Sequence, residues 1–203
     1  MIAAIAAGRL LDLRRQLSLL PRRALPWALT LAVPVVAVFL PEVDDWSAPG
    51  ANPFAVMALA VVYLFAAACE EIGWTGLLLP MLARLTDFQA GLVIGTLWAG
   101  WHIIGYSQAG NPPSWIAGQC VFTIAFRVFL VRLARASGGA VWLAVLGHAG
   151  YNVSWFVMSS AVDGYDLRAT ALTMATLTAI VFVITRRDAR DRRAKPDGTD
   201  TRG

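Results

Sequence analysis

The chain has few of the residues from which common catalytic and structural sites are built. Only two histidines and two cysteines occur in 203 residues, and only 15% of the residues are charged. Two histidines exclude a multi-histidine metal cluster. Cys69 and Cys120 show neither CxxC spacing nor the pattern of a disulfide-rich secreted domain. We therefore expect both cysteines to be reduced, small and buried.

Several protease motifs are also absent. The sequence has no GxSxG pentapeptide and no serine–lysine dyad in its apolar runs, which disfavours a serine nucleophile. It has no HExxH motif, which disfavours the usual zinc metalloprotease. The Tyr-Asp and Gly-x-Gly-Asp pairs typical of intramembrane aspartyl proteases do not occur in the apolar runs. A hydrolytic site in this chain would have to use other groups.

Apolar residues are abundant. They make up 58% of the chain, and the mean hydropathy is +0.60, which excludes disorder and disfavours a soluble domain. Most apolar runs have about the 20 residues that a membrane-spanning helix needs. The sequence predicts an all-α, polytopic membrane helical bundle with about six transmembrane helices. The runs cover residues 24–40, 54–79, 88–106, 115–131, 140–161 and 169–185.

The basic residues cluster towards the chain ends and in alternate loops. The mixture of apolar and basic residues in 1–23 predicts a basic, amphipathic N-terminal arm on the membrane surface. Residues 24–185 form the membrane-embedded domain, and residues 186–203 a basic, flexible tail. The positive-inside rule then predicts a multi-pass protein of the cell membrane with both termini in the cytoplasm. The expected partner is the lipid bilayer, and no nucleic acid is expected.

Two adjacent carboxylates, Glu70 and Glu71, lie inside the second apolar run. A charge at the centre of a membrane helix costs about 2.5–3.5 kcal/mol on the translocon scale, so these residues are expected to be functional. Glu70 precedes the turn at Thr86 by 16 residues, and His102 follows it by 16. Equal distances from the turn place the two side chains at equal depth in an antiparallel helix pair. They can therefore face each other.

His148 and Asn152, in the fifth run, lie four residues apart on one helix face and at a similar depth. A glutamate opposed to a histidine can hold a water and act as general base. A second histidine and an asparagine can donate hydrogen bonds to an oxyanion. These groups predict water attack on an amide without a covalent nucleophile. Alternatives are a zinc site of Glu70, His102 and His148, or polar groups that serve helix packing or transport.

Three segments resemble, in order, the motifs of the CPBP family of CAAX-type proteases and bacteriocin-processing proteins, also called the Abi family. They are residues 70–76 (EEIGWTG), 98–102 (WAGWH) and 148–152 (HAGYN). The resemblance covers about residues 54–160.

The resemblance implies a peptidase-like membrane domain and a metal-free intramembrane glutamic endopeptidase. It implies that Glu70 and His102 activate water, with Glu71 in support, and that His148 and Asn152 form the oxyanion hole. The implied substrate is a peptide or protein, including lipidated ones. A non-catalytic protein of the same fold, in bacteriocin self-immunity or scaffolding, is the alternative.

The chain departs from the family pattern at two positions. The family's first motif has an arginine where this chain has Thr75. This replacement bears directly on whether the site is catalytically active. Arg127, in the fourth run, is the nearest candidate cation for Glu71, but we expect its side chain to extend to the cytoplasmic interface instead. Trp98 replaces a common phenylalanine, and we expect it to be a cavity wall.

Overall fold

The computed structural model describes residues 12–21, 24–42, 52–159 and 166–194, with side chains as far as residue 185. Within these ranges every regular element is a helix, so the predicted all-α bundle is confirmed. A short helix, α1, covers residues 12–18. The other helices are α2 (Ala24–Phe39), α3 (Pro53–Glu71), α4 (Leu79–Met81), α5 (Asp87–Gln108), α6 (Pro113–Ala136), α7 (Val141–Ser159) and α8 (Leu167–Ala194). A 3₁₀ turn, Leu40–Glu42, follows α2, and a π-helical segment, Ile72–Leu78, joins α3 to α4.

Four described segments are long and apolar enough to cross a membrane: Ala24–Glu42, Pro53–Met81, Pro113–Ala136 and Leu167–Thr185. The helices that carry His102 and His148 are not among them, because their polar and glycine residues lower the hydropathy. The membrane helical bundle is confirmed, and the number of six spans stays a prediction.

Local signals fix where two of the helices begin. Asn52 caps α3, since its side chain accepts a hydrogen bond from the backbone N–H of Phe54. Thr86 and Gln89 form a capping box at the start of α5. This cap places the turn before α5 at Thr86, the position from which the sequence sets the relative depths of Glu70 and His102.

Helix α6 lies at the centre of the described bundle. Its phenylalanines Phe122, Phe126 and Phe129 are fully buried in the main core cluster. Two glycines of α5 allow the backbones of α5 and α6 to approach closely. A Cβ atom added at Gly91 would lie 2.6 Å from the Cα of Val128. One added at Gly95 would lie 3.0 Å from the Cα of Ile124. Small residues at such positions are typical of membrane helix pairs.

Charged residues separate to the two ends of the bundle. At one end, Arg132 and Arg135 pair with Asp87 at 2.6 and 3.2 Å. At the other end, Glu42 accepts a hydrogen bond from the backbone N–H of Asp166. The predicted inner and outer loops therefore lie on opposite sides, as alternating helices require. The orientation relative to the cytoplasm stays a prediction.

The described part of the N-terminal arm packs on the bundle. Trp142 of α7 donates its indole N–H to the carbonyl of Leu17, at 2.7 Å, and Leu13 lies against Gly76. At the other terminus α8 continues to Ala194, beyond the predicted domain boundary at residue 185. The remaining residues of the arm (1–11, 22–23) and of the tail (195–203) lie outside the described residues. The domain boundaries stay predictions.

The two cysteines differ from expectation in one respect. Both are free, but Cys69 is exposed and Cys120 is only partly buried, so the prediction of burial is wrong. A membrane helix is apolar on all sides, and an apolar neighbourhood in the sequence does not identify which face is buried.

Candidate active site

Glu71 is the centre of a buried polar cluster. Its side chain is fully buried at the end of α3. The carboxylate accepts hydrogen bonds from Thr75 at 2.6 Å, from Arg127 at 2.7 and 2.9 Å, and from Nδ1 of His148 at 3.1 Å. Each carboxylate oxygen has two donors. This complete set of partners lets a charged group remain inside the bundle.

A change of helix type accompanies this cluster. The α-helical hydrogen bonding of α3 ends at Glu71, and the π-helical segment begins at Ile72. Thr75 lies in this segment and bonds back to Glu71 over four residues. Isolated π-helical turns are frequent at functional sites. Gly76 follows, and its missing side chain leaves room for Leu13 of α1.

Arg127 is fully buried, and the prediction that it extends to the interface is wrong. The alternative, an ion pair with Glu71, is what the structure shows. Both terminal nitrogens bond the carboxylate, and the guanidinium carbon lies 4.1 Å from the ring centroid of Trp98. A Cβ atom added at Gly95 of α5 would lie 3.2 Å from the Cβ of Arg127, so this glycine leaves room for the arginine side chain. The sequence could not favour this ion pair, because an apolar run does not show which side of α6 faces α3.

Glu70 and His102 meet at a different residue, Trp98. The indole N–H of Trp98 donates to Oε2 of Glu70 at 2.9 Å. The backbone carbonyl of Trp98 lies 2.9 Å from Nδ1 of His102. A carbonyl can only accept, so Nδ1 carries the proton of this bond, and in the neutral ring Nε2 is the acceptor. Glu70 and His102 are both partly exposed, unlike Glu71.

Trp98 also touches the buried cluster. Its ring packs edge-on against His148, with the centroids 4.8 Å apart, and against the Arg127 guanidinium. It therefore contacts Glu70, His102, His148 and Arg127 at once. The sequence predicts Trp98 only as a cavity wall. Its spacing from His102 is visible in the sequence, whereas its bond to Glu70 depends on how α3 and α5 pack.

Asn152 lies one turn beyond His148 and lines a separate cavity of about 170 Å³. Gln119 lines it as well. The other lining residues are aromatic: Tyr63, Tyr106, Trp115, Tyr151 and Trp155. His102 stacks on Tyr106, with ring centroids 5.5 Å apart, so the cavity adjoins the Glu70–His102 pair. No motif in the sequence indicates Tyr106 or Gln119, although Tyr106 lies four residues after His102, on the same helix face.

The five predicted site residues thus form three neighbouring groups. Glu70 and His102 both bond Trp98, His148 bonds Glu71 directly, and Asn152 lines the adjoining cavity. In the described part of the chain, no three His, Cys, Asp or Glu side chains are grouped closely enough to hold a metal ion. The roles of these residues, and zinc as an alternative, stay predictions.

Comparison with known proteins agrees with the motifs. A family model described as "Type II CAAX prenyl endopeptidase Rce1-like" matches residues 52–154, which include all five predicted site residues. No curated protein matches the chain. The matched region covers just over half of the sequence. The predicted relation to CAAX-type membrane proteases is confirmed, and the chain belongs to the Rce1-like family of type II CAAX prenyl endopeptidases.

Proposed function

We propose that this protein is an active intramembrane endopeptidase that uses a water molecule as its nucleophile. The main support is the pair of bonds that Trp98 makes to Glu70 and His102. These bonds hold a carboxylate and an imidazole on the same tryptophan, and His102 stacks on Tyr106 of the adjoining cavity. We place the nucleophilic water between the carboxylate and the imidazole. Glu70 is more accessible than Glu71, and accessibility to a substrate is what a general base needs.

In the first step, Glu70 takes a proton from this water. Trp98 bonds Oε2, so Oε1 is the oxygen that we assign to the proton transfer. Nε2 of His102 accepts a second hydrogen bond from the water and orients it. The water oxygen then forms a bond to the peptide carbonyl carbon, and the electron pair of the C=O bond moves onto the oxygen.

The resulting oxyanion needs hydrogen-bond donors. The side-chain amide of Asn152 supplies one in this scheme. His148 supplies the other only as an imidazolium, because its Nδ1 bonds Glu71 and a neutral ring would then have no proton on Nε2. When the intermediate collapses, the C–N bond breaks and the leaving nitrogen takes the proton from Glu70.

Glu71 has a supporting role in this scheme. It holds His148, Thr75 and Arg127 together and does not contact the substrate. The non-catalytic alternative depends on the replacement of the family arginine by Thr75. Arg127 provides Glu71 with a guanidinium from another helix. Thr75 therefore gives no reason to expect an inactive site.

We assign the substrate to peptides or proteins at the membrane, with prenylated CAAX sequences as the first class to examine because of the family description. Placement in the cell membrane with both termini in the cytoplasm is part of this proposal.

The proposal is tested with purified protein in lipid nanodiscs and two fluorogenic peptides. One peptide ends in a farnesylated CAAX sequence, and the other has serine in place of the modified cysteine. We expect cleavage that persists in EDTA and in 1,10-phenanthroline, because the mechanism needs no metal. Chelator inhibition that zinc reverses would support the zinc alternative and overturn the metal-free mechanism.

A second prediction concerns Trp98. Trp98→Phe keeps an aromatic ring beside Arg127 but removes the donor to Glu70, so kcat should fall by about tenfold, the value of one hydrogen bond of ~1.4 kcal/mol. KM should change little. The control is Trp27→Phe, which removes an indole bond of 2.8 Å to the carbonyl of Pro21, outside the site. Equal kcat in both variants would show that Trp98 does not position Glu70.

A further inference from the structure

The cavity beside Asn152 contains a group that the hydrolysis scheme does not use. Gln119 of α6 is 4% exposed. Its amide nitrogen donates to the hydroxyl of Tyr151 at 2.9 Å. Its carbonyl oxygen, Oε1, has no hydrogen-bond partner among the described residues. A buried acceptor without a donor destabilises the protein, and a donor group that enters the cavity and bonds this oxygen would remove that cost.

The remaining lining defines what can enter. Five of the seven residues that line the cavity are aromatic, two are carboxamides, and none is charged. A carboxylate side chain would lose its hydration here without gaining a cation. Rings of this kind pack well against another flat ring. The volume of about 170 Å³ is below the ~300–1,000 Å³ of pockets for drug-sized ligands. The volume and the rings therefore suit a single large aromatic side chain.

The cavity also lies where a substrate residue would reach it. Tyr106 forms part of its wall and stacks on His102. Asn152 forms another part, one turn from His148. If Glu70 and His102 activate the water and Asn152 binds the oxyanion, the cleaved carbonyl lies at the edge of this cavity. A side chain next to that carbonyl can then extend into it.

We propose that this cavity is a substrate subsite for an aromatic side chain that carries a hydroxyl, on a residue next to the cleaved bond. Tyrosine is the expected side chain. The inference rests on the proposed peptidase function. A phenolic hydroxyl both donates and accepts, so it can bond the free end of the Gln119 carboxamide in either orientation of the amide.

The test compares two reporter peptides that differ only in tyrosine or phenylalanine beside the cleaved bond. The pair is built on whichever peptide, farnesylated or not, the wild-type protein cleaves. Tyrosine or phenylalanine is placed in turn at each position next to the cleaved bond that the rest of the reporter sequence leaves available. At one of them we expect kcat/KM to be about tenfold higher for tyrosine, as for a site that hydrogen-bonds its substrate.

The same ratio is measured in Gln119→Leu and Gln119→Met, where it should fall to about one, because a hydrogen bond to a neutral group is lost. The ratio compares two substrates of one preparation, so it does not depend on how much of the variant is folded. The matched control is Gln108→Leu, since Gln108 is exposed at the end of α5. It should keep the wild-type ratio.

Two outcomes overturn the inference while the proposed function stands. One is equal cleavage of both peptides by the wild type, as expected if only water bonds Gln119. The other is a tyrosine preference that survives in both Gln119 variants. Failure of the proposed function looks different, because cleavage of the peptides would then be unaffected by Glu70→Gln.

Discussion

Glu70→Gln should lower kcat by about 10²–10⁴-fold, the usual contribution of a general base. Glutamine has the shape of glutamate and can still accept the bond from Trp98, but it cannot take a proton from water. The melting temperature should therefore stay close to that of the wild type. Both quantities are measured on one nanodisc preparation, with the fluorogenic peptide that the wild type cleaves.

A control comes from Glu42, a glutamate that is buried at the end of α2. It lies far along the chain from the predicted site and accepts a bond from the backbone N–H of Asp166. Glu42→Gln should retain activity, because the amide oxygen can keep that bond. His102→Gln should lose activity as Glu70→Gln does. Full activity in a folded Glu70→Gln or His102→Gln protein would contradict the roles proposed for these two residues.

Arg127→Ala should lower the free energy of unfolding by about 3–5 kcal/mol, the usual cost of removing one partner of a buried ion pair. The substitution leaves Glu71 buried without its guanidinium. It also removes the cation that packs on Trp98. Unfolding is followed in mixed micelles, and the activity of the folded fraction is measured in parallel.

Arg132→Ala provides the comparison on the same helix. Arg132 pairs with Asp87 at 2.6 Å, a distance close to the 2.7 Å between Arg127 and Glu71, but its side chain is 16% exposed. A partly hydrated pair contributes about 0–1 kcal/mol. Equal losses in Arg127→Ala and Arg132→Ala would contradict the role that we give to the buried pair.

The position of the cation can be tested by moving it. Thr75 bonds Glu71 directly and lines a cavity of about 360 Å³ at the end of the bundle near α1. An arginine at position 75 therefore has space to reach Glu71. Thr75→Arg alone should destabilise the protein, since it adds a second cation beside Arg127. Combined with Arg127→Ala, it should restore most of the lost stability. A double variant that is no more stable than Arg127→Ala would contradict this prediction.

The sequence predicts which residues form the candidate site better than it predicts which residues they contact. The sequence pairs Glu70 with His102 because both lie 16 residues from the capped turn at Thr86 and an α-helix has a constant rise. The π-helical segment between Glu70 and the turn could not be predicted in this way. His148 and Asn152 share a face because they are four residues apart. These inferences need only helix geometry and a short connection.

The contacts between helices were beyond the same reasoning. Arg127 meets Glu71 because its side of α6 faces the interior of the bundle, where Gly95 of α5 leaves room for the side chain. An apolar run carries no periodicity from which this rotation could be derived. The same holds for Trp98, whose indole crosses from α5 to Glu70, and for Gln119, which lies in a run without any motif.

The comparison that bears most directly on the site is between its two adjacent glutamates. Glu70→Gln and Glu71→Gln are measured side by side for kcat and for melting temperature. We predict that Glu70→Gln is inactive with normal stability, whereas Glu71→Gln is destabilised by the loss of its charge beside Arg127 and keeps measurable activity in its folded fraction. A stable, inactive Glu71→Gln protein together with an active Glu70→Gln protein would contradict the assignment of Glu70 as the base.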